Sequence, residues 1–213
     1  MPTIELAQQW YLQDDPVHGF DHILRVYHLA ERLAQEEGAD LEVVRAAALL
    51  HDAEGNATAD ASFDRLDHHH SSASFARKTL LAEGWSEARI AAVEHCIRAH
   101  RFRDRSEQPL TLEAQVLYDA DKLDAIGATG VARAIAYAAA HRQPFYSQPS
   151  SRFLELGELE PGEGHSAYHE YLFKLSKIKD GLYTQAGRTL AQGRHTYMVS
   201  FFKRLEKELC LEA

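Results

Sequence analysis

Four residues of this sequence carry side chains that bind divalent metals, and each falls on or beside an apolar helical face. They are His22, the adjacent pair His51 and Asp52, and Asp121. Residues advance by about 100° each along a helix, which turns these groups toward an interior. An unpartnered imidazole or carboxylate in a core costs roughly 1–3 kcal/mol, and an isolated charge costs far more. A divalent metal held by all four side chains would remove that cost.

Two further histidines are candidates for a second metal or for binding a phosphate group. His69 is the most inward of the three consecutive histidines at 68–70, and His100 lies on the core face of its helix. His95 lies about 140° away from that face, so a regular helix cannot bring it to the same site as His100. For His69 and His100 alike, a core or capping histidine is the competing interpretation.

Three arginines are candidates for binding the phosphates of a substrate. Arg25 lies one turn after His22, and Arg98 and Arg101 belong to the basic segment RAHRFRDR at residues 98–105. Guanidinium groups match the geometry of phosphate oxygens, which favours this role. Salt bridges to acidic neighbours and a solvated loop are the competing interpretation.

Apolar residues recur at intervals of three and four along most of the chain, which predicts an all-α fold. Caps and glycine stops place four helices, from Asp21 to Gly38, from Asp40 through His51, from 71 to 83, and from Ser86 to His100. A long Ala-rich helix is predicted from Thr111 to His141, with Asp119 and Lys122 facing outward. Residues 142–164 are predicted to be a surface connection, and two more helices follow.

Length and composition limit the class of protein. The 213 residues suit one core, so a single domain over 1–213 is predicted, with core motifs at 20–127 and C-terminal helices at 165–211 packed on it. No apolar run reaches the roughly 18 residues of a membrane helix. Two cysteines favour a reducing cytoplasm. The net charge of −9 argues against stable binding to nucleic acid or an anionic membrane.

In its metal-binding motifs the sequence closely resembles the HD-domain metal-dependent phosphohydrolases. That family has a histidine, then His-Asp, then a distant aspartate, each from a different helix. The matching segments are DHILRV with His22, LLHD with His51 and Asp52, and DADKLDAIGA with Asp121. The resemblance extends to SASFA, CIRAHRF, HSAYHEYLFKLSKIKD and RHTYM, which are typical of a compact single-domain bacterial branch. It therefore covers nearly the whole chain.

The resemblance implies an HD-type helical bundle that binds a divalent metal through His22, His51, Asp52 and Asp121. Mixed imidazole and carboxylate ligands leave manganese, iron, cobalt, zinc and magnesium as candidates. The implied reaction is hydrolysis of a phosphate ester or phosphoanhydride bond by a metal-activated water. The implied substrate is a small phosphorylated molecule, in the first place a nucleotide, as for nucleotidases, pyrophosphohydrolases and phosphodiesterases.

Two catalytic residues are expected from the same resemblance. Asp52 is the first, as the motif aspartate. Some small nucleotidases of the family carry an acid three residues after that aspartate, a position held here by Gly55. Its neighbour Glu54 is therefore the candidate general acid or base, and an exposed loop carboxylate is the alternative.

Two other functions remain open for such a chain. One is an HD fold kept as a ligand-binding or regulatory module without turnover, although intact residues at all four motif positions count against it. The other is oxygenase chemistry at a two-iron centre, which needs about two further ligands. The sequence contains no HD-GYP signature, which disfavours a cyclic-dinucleotide phosphodiesterase.

Overall fold

The computed structural model describes residues 1–11, 17, 19–53, 68–101 and 107–210. Within these ranges the chain is all-α, as predicted, and contains no strand. The helices are α1 (Ile4–Ala7), α2 (Phe20–Glu37), α3 (Leu41–Leu50), α4 (His68–Ala82), α5 (Glu87–Ala99), α6 (Leu112–Asp124), α7 (Gly127–Ala140), α8 (Ser151–Leu156), α9 (Ala167–Phe173) and α10 (Gln185–Leu209). Short 3-10 helices cover Gln8–Trp10 and Leu175–Gly181. None of the described helices is long and apolar enough to cross a membrane.

The chain divides into two units. The first comprises Met1–Asp121 and Leu182–Gly187, and the second comprises Lys122–Gly181 and Arg188–Ala213. Helix α3 lies at the centre of the first unit, where it packs against α2, α4 and α5. Its sequence LEVVRAAALL is apolar on nearly every side, which suits a helix surrounded by other helices. The small alanines let those neighbours approach the end of α3 that leads into His51.

Most predicted helix boundaries agree with the structure. The Asp40 carboxylate accepts hydrogen bonds from the N–H groups of Glu42 and Val43 and caps α3, as predicted. Gly38 ends α2 in the left-handed conformation with a φ of 79°. The prediction that Asp21 caps α2 is wrong, because the cap is Gly19. Asp21 instead lies in the first turn of α2, where its side chain accepts a hydrogen bond from Arg25 at 2.6 Å.

The predicted long helix from Thr111 to His141 is two helices. Helix α6 ends at Asp124, Ile126 is extended, and Gly127 begins α7 with a φ of 80°. That left-handed conformation costs a residue with a side chain 1–2 kcal/mol, roughly, but not glycine. The turn is also tight, since a Cβ on Gly130 would lie 2.2 Å from the carbonyl oxygen of Ala125. Because the Ala-rich pattern continues across the break, the sequence periodicity conceals it.

The prediction that Asp119 and Lys122 face outward is wrong, since both side chains are buried. Asp119 accepts hydrogen bonds from the N–H of Tyr183 at 2.9 Å, from the N–H of Thr184 at 2.7 Å and from the Thr184 hydroxyl at 2.6 Å. A Cβ on Gly187 would lie 2.4 Å from the Asp119 carboxylate, so glycine is needed for this approach. Asp119 thus fastens the segment before α10 to the helix that carries Asp121.

Asp119→Ala is expected to lower the free energy of unfolding by at least about 3 kcal/mol, because three donors, two of them buried, lose a charged acceptor worth roughly 1–3 kcal/mol each. Asp119→Asn should lie between the alanine variant and wild type, since the amide keeps only one acceptor oxygen. Urea unfolding followed by circular dichroism measures all three proteins. A loss under about 0.5 kcal/mol in the alanine variant would contradict this role.

The segment at 142–164 is not only a connection, because it contains α8. Ser150 caps α8 at its start, and Gly157 closes it with a φ of 74°. The Glu163 carboxylate accepts hydrogen bonds from the N–H groups of Glu160 and Ser150, which stabilises this segment. It also lies 3.1 Å from His169 Nε2. These contacts lower the pKa of Glu163 to about 2. Within the second unit, Tyr171 of α9 stacks on Phe202 of α10 at 4.2 Å between ring centroids.

Candidate metal centre

The metal-binding candidates of the first unit all lie at or near helix ends. His22 is in the first turn of α2, His51 is the residue that caps the end of α3, and Asp52 follows in the next turn. Asp121 lies in the last turn of α6. Because these residues lie at the ends of helices that pack against one another, their side chains can converge on one site.

A first group of ligand atoms comes from three of the four motif residues. One atom each from His22, His51 and Asp52 lies within 4.8 Å of the other two. The fourth residue, Asp121, places Oδ1 at 3.6 Å from His22 Nε2. Both histidines are buried, and the carboxylates of Asp52 and Asp121 retain 15% and 16% exposure. The structure therefore brings all four predicted residues together, with the carboxylates toward solvent.

A second group shares Asp52 with the first. It contains Asp52, His68 and His100, again with ligand atoms within 4.8 Å of one another. The Nε2 atoms of His68 and His100 lie 3.3 Å and 3.6 Å from Asp52 Oδ1. The His51 ring, which belongs to the first group, lies 5.2 Å from the His100 ring between centroids. Asp52 therefore lies between the histidines of the first group and those of the second, and its carboxylate can be a metal ligand in both groups.

The backbone fixes the tautomers of two of these histidines. His51 Nδ1 is 2.8 Å from the carbonyl oxygen of Ala48, and His100 Nδ1 makes the same contact with Ile97. A carbonyl oxygen only accepts, so in both rings Nδ1 carries the proton. The lone pair of the neutral ring is then on Nε2, the atom directed at Asp52. This is the arrangement in which an outer hydrogen bond orients a histidine for a metal.

The inner face of the centre lacks the donors that its acceptors need. His51 Nε2 and Asp52 Oδ1 are buried and receive no hydrogen bond from any described residue. His51 Nε2 lies 3.8 Å from Asp52 Oδ2, and a bare imidazole nitrogen repels a carboxylate oxygen at such an approach, since both carry lone pairs. A cation between them converts that repulsion into two bonds. Two imidazoles and two carboxylates, with exposure on the carboxylate side, fit a divalent metal with open positions.

The electrostatics of the centre keep His100 in the form that binds metal. Burial lowers the pKa of His100, against the opposing effect of Asp52. The lowered pKa keeps this imidazole neutral, so it does not have to lose a proton when a metal binds.

His68 is the residue that the sequence reasoning missed. The sequence predicts His69 as the ligand of a second metal or of a phosphate group. His69 is buried, but neither ligand group among the described residues includes it. Its Nδ1 has no hydrogen-bond partner there, and burial together with His70, Arg101 and His68 lowers its pKa to about 4. His68 begins α4 and reaches Asp52 instead. Helical periodicity identifies the buried histidine of the run, but the one that reaches the site lies at the helix start.

The remaining candidates have varied surroundings. Arg25 pairs with Asp21 in the same helix. Arg98 donates two hydrogen bonds to Glu107, which also accepts from His95 at 2.7 Å.

Glu54 lies outside the described residues. Arg101 is partly exposed at the end of α5, immediately after His100. Of the three arginines, it lies nearest in sequence to the second ligand group.

Comparison with known proteins agrees with this geometry. Residues 19–126, which contain every ligand of both groups, match the HD domain. The chain belongs to the HD-domain family. YpgQ of Bacillus subtilis is 35% identical to this HD-domain chain over 195 residues, which are 90% of this chain and 84% of YpgQ. Solved relatives from an uncultured Thermotogales bacterium and from Bacillus thuringiensis are described as HD-superfamily hydrolases.

Solved structures extend the likeness to nearly the whole HD-domain chain. The crystal structure of Bacillus subtilis YpgQ in complex with ADP has a TM-score of 0.73 at 30% identity and covers 97% of both chains. A protein from Lactobacillus plantarum has a TM-score of 0.76 at 29% identity, over 99% of this chain and 100% of that one. An HD-superfamily hydrolase from Bacillus thuringiensis has a TM-score of 0.68 at 27% identity, over 97% and 94%.

Proposed function

We propose that this HD-domain protein is a metal-dependent phosphohydrolase that cleaves a phosphate ester or phosphoanhydride bond of a nucleotide. The observation that carries the proposal is the position of Asp52. It lies between His51 on one side and His68 and His100 on the other, at 3.3–3.8 Å, with a buried oxygen that has no donor among the described residues. Such a carboxylate is suited to bridging two cations.

The two ligand groups define what each metal would contact. His22, His51, Asp52 and Asp121 would hold the first, and Asp52, His68 and His100 the second. Bound divalent metals supply Lewis acidity toward phosphoryl oxygens and lower the pKa of a coordinated water. The high proportion of imidazole favours manganese, iron, cobalt or zinc over magnesium, which prefers oxygen ligands.

The chain's own residues supply the rest of the reaction environment. Nδ1–H bonds to Ala48 and Ile97 hold His51 and His100 in orientation, so their Nε2 atoms need not turn when substrate arrives. The partly exposed carboxylates of Asp52 and Asp121 mark the side from which substrate reaches the centre. Asp52, which the resemblance makes a catalytic residue, would act in the reaction as the ligand shared by both metals.

A nucleotide is the proposed substrate for two reasons. The homologous YpgQ has been crystallised with ADP, and the likeness to it covers the whole ligand set. In addition, the net charge of −9 disfavours a large polyanion while leaving room for a compact anion beside a local cation. We therefore expect nucleoside di- or triphosphates to be cleaved in preference to nucleic acid.

A panel of nucleotides incubated with the protein and Mn²⁺ tests the proposal, with orthophosphate and pyrophosphate measured separately. We expect release of one of the two products from at least one nucleoside di- or triphosphate, and its loss when EDTA is added. Nucleotide binding without turnover under any divalent metal would favour the regulatory interpretation instead. Cleavage of DNA or RNA with nucleotides left intact would overturn the substrate assignment.

Arg101→Ala is expected to raise KM for the nucleotide several-fold with little change in kcat, because a phosphate contact made equally in ground and transition states contributes to binding alone. Arg98→Ala is the matched comparison. Its guanidinium already donates to Glu107 at 2.7 Å, so we expect a smaller rise. Steady-state kinetics of the two variants measure this difference. A KM unchanged in Arg101→Ala would remove that residue from the site.

A further inference from the structure

The adjacent aromatic residues Trp10 and Tyr11 of the N-terminal segment contact three of the helices that carry the metal centre. The Tyr11 ring packs on Phe20, which begins α2 two residues before His22, at 5.8 Å between centroids. The Trp10 ring meets Phe75 of α4, the helix that His68 begins, edge-on at 5.2 Å. The third contact, between Tyr11 and the end of α3, is the closest to the centre.

The Tyr11 hydroxyl lies at the point where α3 gives way to the His-Asp motif. It donates a hydrogen bond to the carbonyl oxygen of Leu49 at 2.8 Å, in a buried setting. The Leu49 carbonyl lies two residues before His51 and three before Asp52, so this hydrogen bond holds the backbone at the start of the turn that carries both ligands.

A hydrogen bond donated to the Leu49 carbonyl meets a need of the backbone at this position. The last carbonyls of a helix have no partner within the helix, and α3 ends at Leu50. Within the turn, Ala53 N–H reaches the Leu50 carbonyl at 3.3 Å, which is a long hydrogen bond. A donor from outside the helix that binds one of these carbonyls can hold the turn in one conformation. Burial raises the pKa of Tyr11 well above its usual value, so the hydroxyl keeps the proton that it donates.

We propose that Tyr11 is a positioning residue for the metal centre: its hydroxyl holds the turn between Leu49 and Asp52, and thereby sets where His51 Nε2 and the Asp52 carboxylate lie. The inference rests on the proposed metal-dependent function. The Tyr11 hydroxyl donates to a backbone carbonyl, so its effect on the ligands passes through the backbone. Outer partners of metal ligands typically change metal affinity or activity by 10–100-fold, roughly, when removed.

Tyr11→Phe tests the role, since it deletes one oxygen and keeps the ring on Phe20. Tyr27→Phe is the control, because Tyr27 is also a buried tyrosine of the first unit and lies in α2. Titration calorimetry with Mn²⁺ on the metal-free proteins gives Kd. We expect Kd to rise about 10-fold in Tyr11→Phe and to stay at the wild-type value in Tyr27→Phe. With Co²⁺, the visible absorption band should shift only in Tyr11→Phe.

The kinetic consequence separates positioning from general destabilisation. At saturating Mn²⁺, kcat of Tyr11→Phe should fall while KM for the nucleotide stays unchanged, and the metal-free variant should keep the helical signal of wild type. An unchanged Kd and Co²⁺ spectrum in Tyr11→Phe, or equal changes in Tyr27→Phe, would overturn the role. So would loss of the helical signal, because the hydroxyl would then serve folding. Wild-type protein that binds no Mn²⁺ would overturn this inference and the proposed function together.

Discussion

Asp52→Ala is expected to abolish hydrolysis and to empty the centre of metal, with the helical circular-dichroism signal retained. Asp52 is the one residue common to both ligand groups, so its removal leaves each group incomplete. The four imidazoles and the Asp121 carboxylate that remain would then lack both the metal and the carboxylate that the two groups share. We expect kcat/KM to fall by about 10³-fold or more, because Lewis-acid stabilisation is worth several kcal/mol and about 1.4 kcal/mol equals a factor of ten.

Metal content per chain and steady-state kinetics measure the effect of Asp52→Ala. The control is Asp180→Ala, an exposed aspartate of the second unit, which should keep wild-type metal content and activity. The fold should survive in Asp52→Ala, since the buried Oδ1 of this carboxylate has no donor in the part of the chain that the structure describes, and its removal breaks no hydrogen bond there. Activity or metal content close to wild type in this variant would refute the proposed role of Asp52.

His68→Ala should have the second largest effect. Its Nε2 lies 3.3 Å from Asp52, and without it the second group retains only Asp52 and His100. We expect Mn²⁺ content to fall from two ions per chain to one, and kcat to fall by roughly 100-fold, since the remaining metal must carry the phosphoryl charge alone. Elemental analysis after gel filtration, combined with kinetics, measures both quantities.

His69→Ala is the matched control for His68→Ala, because the two residues are adjacent and only one belongs to a ligand group. The loss of buried His69 should lower thermal stability but leave the metal count at two. If His69→Ala lost the second metal and His68→Ala kept it, the assignment of the two histidines would be reversed.

The sequence predicted much of the first ligand group because its signals are local. The apolar face that includes His22 and the cap at Asp40 each belong to one helix, and the structure agrees with both. Its helical face and the family resemblance both placed Asp121 with them. These features depend on spacing along the chain, which the sequence displays directly.

The features that the sequence did not predict depend on contacts between distant segments. Asp119 falls on the side of its helix away from the Asp121 stripe, but its partners Tyr183 and Thr184 follow 64 and 65 residues later. The contact of Tyr11 with Leu49 spans 38 residues. In both cases a polar side chain is buried because a remote backbone supplies its hydrogen bonds, and no local pattern contains that information.

Diffraction data from crystals soaked in Mn²⁺, recorded at the manganese absorption edge, test the central claim most directly. The account predicts one anomalous peak among His22, His51, Asp52 and Asp121, and a second among Asp52, His68 and His100, with ligand bonds of about 2.0–2.3 Å. Soaking with EDTA should remove both peaks. The absence of a peak between His51 and Asp52 at saturating Mn²⁺, or manganese bound only elsewhere on the chain, would contradict the claim that these residues form a metal centre.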